Sequence, residues 1–320
     1  MKQINMWDIK GVQIGQAENS TSGTGCTAIL TPHGATAGVD VRGGGPATRE
    51  TDLLNPKNMV QQIHGVMLSG GSAFGLDAAS GAMQYLEEHK NGFEILGFHV
   101  PIVCAASLFD LGVGDGSIRP DKEMGYQACL NSESNHYTNG NYGAGTGASV
   151  GKMSADYLPM KTGQGMYGVQ VNDIQVSAVV AVNAIGNVRN QEGRYIAGMH
   201  QDGKIIDPLA FFETMIESTT SLPQGNTTIG CVVTNAKLDK SQCNKVASIT
   251  HNGYAMAIFP VHTMSDGDTI FVLSTGEVEA SVDAIGVLAT TCMQEAILRA
   301  VSSSSPAYGL ESYQSINSKK

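Results

Sequence analysis

At 320 residues, 42% of them hydrophobic and only 15% charged, the chain can bury a sizeable core and is not disordered by composition. Its formal net charge of -10 opposes binding to phosphate backbones, and no Lys/Arg cluster overrides it locally, so nucleic acid is excluded as an expected partner. The first residues, Met1-Lys2-Gln3-Ile4-Asn5-Met6-Trp7-Asp8, hold no apolar signal core, and no uninterrupted apolar run nears the roughly 20 residues of a membrane span, so a cytoplasmic protein without a membrane partner is expected.

In chain order, the first strand-like run is Cys26-Thr27-Ala28-Ile29-Leu30, followed by a weak helical stretch at residues 58–63 and a second run, Gly65-Val66-Met67-Leu68. Leu76, Ala79, Met83 and Leu86 then repeat at helical spacing. The runs Val100-Pro101-Ile102-Val103 and Val176 to Val182 read as strands, and residues 208–218 as a weak helix. Ile229-Gly230-Cys231-Val232-Val233 is a strand, residues 240–250 a helix, and Thr269-Ile270-Phe271-Val272-Leu273 a strand. Val282, Ile285, Ala289, Cys292 and Ala296 close the series with a further helical stripe.

Near-continuous hydrophobicity in these strands means that both faces are covered, which stacked sheets with helices outside would satisfy. The irregular alternation of strands and helices points to the α+β class in one domain spanning 1–320, rather than a repeating βαβ unit. The 39 glycines are spread through the chain and read as tight turns and close backbone approaches. The six cysteines include no C-x-x-C pair and read as buried free thiols. The eight histidines show no metal-ligand spacing, so neither a metal nor another cofactor is expected.

Four segments invite a chemical reading. Gly140 to Lys152 is glycine-rich, but Thr146 stands where a phosphate-binding loop needs Gly, and Met153 where it needs Ser or Thr. It is either a loop packed against other backbone or one that presents Lys152 to a site. Gly70-Gly71-Ser72-Ala73-Phe74-Gly75 sits where a nucleophile elbow would, but Phe74 replaces the required Gly, which makes Ser72 a helix N-cap. Gly225-Asn226-Thr227-Thr228 leads polar residues straight into an apolar strand. It reads as a turn, as a glycan acceptor that lapses without secretion, or as a junction where Thr227 attacks the Asn226 carbonyl. In the last case water opens the resulting ester and Thr227 gains a free α-amine, which titrates near ~7.7–8.0 and can serve as base for its own hydroxyl. Finally, Asp266-Gly267-Asp268 is a turn signal ahead of a strand, and also two carboxylates side by side, able to orient a hydroxyl or hold an ammonium.

Together with Thr24-Gly25-Cys26-Thr27, Gly38-Val39-Asp40-Val41-Arg42-Gly43-Gly44, Thr48 to Leu54, Leu68 to Asp77, Gly143 to Ala148 and Val182-Asn183-Ala184, these segments carry a likeness over nearly the whole chain. It resembles the family that contains D-aminopeptidase, β-peptidyl aminopeptidases and the endo-type 6-aminohexanoate-oligomer hydrolase. The resemblance implies an αββα-like sandwich, a homotetramer, and maturation by cleavage between Asn226 and Thr227 into chains 1–226 and 227–320, with Thr227 as N-terminal nucleophile. It also implies that Lys152 and Asn183 line the site and donate to the oxygen that turns negative, and that Asp266 and Asp268 orient the hydroxyl and amine of Thr227.

Phe109 stands where the nylon-oligomer type carries Tyr, which leaves Tyr142 as the phenol expected beside the substrate together with Phe109. The acidic motif with which the aminopeptidases hold a substrate's ammonium has no clear counterpart. The Asn-Thr junction and the Asp-Gly-Asp run lean toward an endo-acting amidase on small linear amide oligomers. An aminopeptidase is the second reading, and an unprocessed small-molecule-binding protein the third.

Overall fold

The strand Thr24–Val41 organises the molecule, because its two halves serve two different layers. In the computed structural model, which describes residues 1–218 and 225–318, its first half pairs with Gln13–Asn19 and Gln62–Ser69. Its second half pairs with Thr269–Val278. The register breaks between Leu30 and Ala35, and Gly34 lies in that break at φ 85, a left-handed conformation that glycine adopts without a Cβ penalty.

One layer runs Lys2–Ile4, Gln164–Val171, Ile174–Asn183, Thr227–Ala236, Thr269–Val278 and then the second half of the long strand. The other holds its first half with Gln13–Asn19, Gln62–Ser69, Val103–Ser107 and Ala47–Arg49. Two pairs are parallel, Thr227–Ala236 with Thr269–Val278 and Gln62–Ser69 with Val103–Ser107, and each is joined through a helix, as parallel neighbours require. The longer helices are α1 (Ala78–Glu88), α2 (Lys122–Ser132), α3 (Pro208–Ser218), α4 (Lys240–Ala257) and α5 (Val282–Ser302).

Side-chain alternation fixes the layering. Val179, Ala181, Ile229, Cys231, Phe271 and Leu273 point into one core with Ile29, Val66, Leu68, Cys104 and Ala106 from the other sheet. Their neighbours Ala178, Val180, Val232, Ile270 and Val272 pack on α4 and α5, while Ala28, Leu30, Met67, Val103 and Ala105 pack on α1 and α2. The order is therefore helices, sheet, sheet, helices, in keeping with the α+β sandwich expected. Each fully buried Leu, Ile, Val or Phe contributes about 1.5–3 kcal/mol. Helix α5 is long and apolar enough to cross a membrane by length and composition, and here Ile285, Ala289, Cys292, Met293 and Ile297 are buried within the fold. All six cysteines are buried and free.

Several local expectations are corrected. Residues 58–63 are not helical: Lys240 Nζ donates to the carbonyls of Leu53, Asn58 and Val60, which holds that segment in turns until the strand begins at Gln62. The run at 100–103 is broken, because Val100 closes the hairpin Phe93–Ile95/Phe98–Val100 and the next strand starts only at Val103. Helix α4 runs on to Ala257 rather than stopping near 250, since Gly253 lets it lie close to α5, where an added Cβ would come within 2.8 Å of Thr290 O. Ser72 is not an N-cap: Gly71 holds that place, and Ser72 is the first residue of a 3-10 helix, at φ 55.

Candidate active site

The strand Thr227–Ala236 lies between Ile174–Asn183 and Thr269–Val278, so the three strand ends bring Asn183, Thr227 and Asp268 together. Asn183 is the direct cross-strand partner of Thr227. Thr227 shares the parity of Ile229 and Cys231 and therefore faces the layer between the sheets. Asn226, Thr227, Asn183, Asp266 and Asp268 are all buried.

Ahead of the strand Thr269–Val278, the loop 262–268 is shaped by its own polar groups. Thr263 donates to Asp266 Oδ2 from its backbone N at 3.1 Å and from Oγ1 at 2.6 Å. The glycines after Arg42 allow backbone to lie directly on this loop: Gly45 N donates to Asp266 O at 2.8 Å, and a Cβ on Gly43 would sit 2.3 Å from the same oxygen. The glycine run thus serves close approach to the loop that carries both carboxylates.

At the junction, the hydroxyl of Thr227 donates to the carbonyl oxygen of Asn226, its own preceding residue. The backbone N–H of Gly267 donates to that same oxygen at 2.8 Å. The oxygen of this peptide bond therefore already faces a fixed donor, which is what a developing oxyanion requires. An added Cβ on Gly267 would stand 2.7 Å from Thr227 Oγ1, so the hydroxyl occupies space that only glycine leaves open.

The two aspartates hold backbone on either side of this bond. Asp266 Oδ1 accepts from Ile185 N at 3.3 Å, and Asp268 Oδ1 accepts from Thr228 N at 2.8 Å. Asp268 Oδ2 accepts from His262, through its backbone N at 3.0 Å and Nδ1 at 2.8 Å. Burial pushes the Asp266 carboxyl up to about 6, and the charge of Asp268 adds to the shift.

Lys152 Nζ donates to both oxygens of Asn183, at 2.8 Å to Oδ1 and 3.1 Å to the backbone carbonyl. The Asn183 amide Nδ2 donates to Phe109 O at 2.8 Å, so that residue is a fixed bracket between Lys152 and the segment carrying Phe109. Burial pulls the Lys152 ammonium down to about 7, against the opposing pull of Asp266 and Asp110. A cleft of about 220 Å³ opens here, lined by Lys152, Asn226, Asp110, Phe109, Tyr308 and Leu310 among others. Tyr142 lies outside that lining, and Tyr308 is the phenol within it. The two alternatives for the glycine-rich segment before Lys152 are not exclusive: a Cβ on Gly145 would come 2.2 Å from Gln164 N, and Lys152 at its end lines the cleft.

Sequence reasoning missed Gly267 and His262 as participants. Gly267 is marked only by its place between two acidic residues, and His262 by its place at the head of the same polar run. Among the described residues, no three His, Cys, Asp or Glu side chains gather as a metal would need.

The depressed Lys152 value has a stability consequence. In the uncleaved Thr227→Ala protein, which preserves the geometry above, the amine is neutral in the fold above about 7 but stays charged in the unfolded chain up to its ordinary value of 10.5. Its unfavourable contribution is therefore complete below about 7 and fades as pH rises toward 10.5. Adding Lys152→Met should change the melting temperature difference between the two proteins steadily across that window, in the direction that favours the lysine protein as pH rises. A difference that stays flat across it would refute a buried neutral amine.

Comparison with known proteins gives a consistent picture. The model of peptidase family S58 matches residues 5–314. An uncharacterized aminopeptidase of Mycobacterium leprae is 37% identical, over 96% of this chain and 92% of that protein. The 6-aminohexanoate-oligomer endohydrolase of Paenarthrobacter ureafaciens is 30% identical, over 93% of this chain and 86% of that protein. Among solved structures, a Burkholderia beta-aminopeptidase superposes with a TM-score of 0.72 at 16% identity, covering 98% of this chain and 92% of that one. The L-aminopeptidase D-Ala-esterase/amidase of Ochrobactrum anthropi, described as a variant of the Ntn hydrolase fold, gives 0.69 at 17% identity, covering 94% and 86%.

Proposed function

The chain belongs to peptidase family S58, and we propose that it is a self-processing amide hydrolase with Thr227 as N-terminal nucleophile. Family membership makes it a peptide- or amide-bond hydrolase and sets aside the reading as a non-catalytic binding protein. The observation that carries the proposal is the convergence of Thr227 Oγ1 and Gly267 N–H on the carbonyl oxygen of Asn226.

In the processing step, Thr227 Oγ bonds to the Asn226 carbonyl carbon, and the negative oxygen is received by Gly267 N–H. The C–N bond then breaks, and the hydroxyl proton ends on the departing nitrogen, which becomes the α-amine of Thr227. Water hydrolyses the ester, leaving Asn226 as a carboxylate and restoring the hydroxyl. In the hydrolytic cycle that amine takes the Oγ proton as Oγ attacks a substrate carbonyl and returns it to the leaving amine. Water then releases the acyl group. In this scheme Asp268, whose Oδ1 accepts from Thr228 N, holds the new ammonium, and Lys152, which lines the cleft, donates to the substrate's oxyanion.

For the substrate we propose small linear amide oligomers with aliphatic spacers, cleaved internally. Phe109, Tyr308 and Leu310 offer apolar walls to methylene chains, while Lys152 supplies polarity at one end of the cleft. The second reading, an aminopeptidase, is favoured by the 37% identity to a protein bearing that name. Incubating the purified protein with 6-aminohexanoate oligomers and with aminoacyl-anilides separates them. Internal fragments of intermediate length are expected from the oligomers; release of terminal units alone, with brisk anilide cleavage, would favour the aminopeptidase.

A further inference from the structure

His262 has no part in the hydrolytic cycle above, yet its ring Nδ1 lies 2.8 Å from Asp268 Oδ2. We propose that His262 is a positioning residue: by donating from Nδ1 to Asp268 Oδ2 at 2.8 Å, it fixes the carboxylate whose other oxygen holds the chain immediately after Thr227. The inference rests on the reading of Thr227 as nucleophile and adds a residue to it.

Three observations support it. First, His262 has φ 59, a left-handed conformation uncommon outside glycine, and there its backbone N and its ring both donate to one carboxylate oxygen. Second, the ring is held from behind by α4. The His251 ring lies 4.7 Å away at 77°, and that of Tyr254 6.0 Å away. His251 Nε2 is in turn 3.0 Å from Asp40 O, and Asp40 pairs with Arg42 at 2.8 Å. Third, Asp268 accepts from His262 on Oδ2 and from Thr228 N on Oδ1, so the imidazole and the start of the nucleophile strand are braced against opposite sides of one group. The charged and titratable groups that face His262 are Asp268 within its own loop, His251 and Tyr254 from α4, and Asp40 and Arg42 beyond His251 on the strand Thr24–Val41.

A loop-filling imidazole and a positioning donor differ in what replaces them. His262→Asn and His262→Gly both accept a positive φ, but only Asn retains a side-chain N–H directed at Asp268. With each variant shown to melt cooperatively, cleavage between Asn226 and Thr227 is followed on denaturing gels against time. The Asn variant should cleave within about threefold of the parent. The Gly variant should slow at least about tenfold, because the carboxylate has lost the side-chain donor that orients it. Wild-type speed in the Gly variant, or equal slowing in both, overturns the role of the donor. A wild-type chain that stays whole overturns the nucleophile reading, and this proposal with it.

Discussion

Thr227→Ala is expected to yield a folded chain that remains a single piece of 320 residues and hydrolyses no amide. The reason is chemical rather than structural. The side chain lies at the start of a fully buried strand and donates only to its own preceding carbonyl, so its removal leaves the sandwich intact. What disappears is the attacking oxygen and, because the peptide bond is then never opened, the α-amine that would serve as base. Losing nucleophile and base together lowers acyl transfer by about 10⁴ or more, as when a unit of cooperating groups is removed. Thr227→Ser keeps a hydroxyl at the same point and should still cleave, at a reduced rate. Cleavage or hydrolysis persisting in the alanine protein, measured by intact mass and by product release, would rule out Thr227.

Gly267→Ala is the second large effect. The new Cβ would stand 2.7 Å from Thr227 Oγ1 and 2.9 Å from Gly45 O, closer than real Cβ contacts come. The loop has little freedom to yield, since Thr269 Oγ1 donates to Gly267 O at 3.0 Å and Gly45 N to Asp266 O at 2.8 Å. Either the hydroxyl is displaced or the Gly267 N–H turns away from Asn226 O. Loss of one oriented oxyanion donor is worth about 10²–10³ in rate, so the time course of cleavage should lengthen by at least that factor. An alanine protein that matures as quickly as the parent would mean that this N–H does not serve the processing step.

The layers of the fold were readable because strand hydrophobicity and helix spacing are carried by side chains. The runs at 176–182, 229–233 and 269–273 are the central strands, and the stripe from Val282 is α5. Helix α2 was not, because its buried face is Gly125, Ala128, Cys129 and Ser132, small residues that give no apolar period. They are small for a reason visible only in three dimensions: a Cβ on Gly125 would sit 1.9 Å from Ala78 O of α1. The site divides the same way. Thr227, Lys152, Asn183 and the two aspartates announce themselves by side-chain chemistry and by family motifs, and the structure gathers them. Gly267 contributes a backbone N–H that every residue type except proline carries, and His262 acts through a bend in the chain, so neither has a signature in residue types alone. The phenol of Tyr142 is visible in the sequence, but its distance from the cleft is not, and Tyr308 lines the cleft instead.

In the proposed mechanism, hydrolysis depends on an opened bond ahead of Thr227. Intact-mass measurement of the purified active protein, with N-terminal sequencing of the shorter chain, tests it most directly. Two chains are expected, one ending at Asn226 and the other beginning with Thr227. Full amide-hydrolysing activity in an unbroken chain would contradict it.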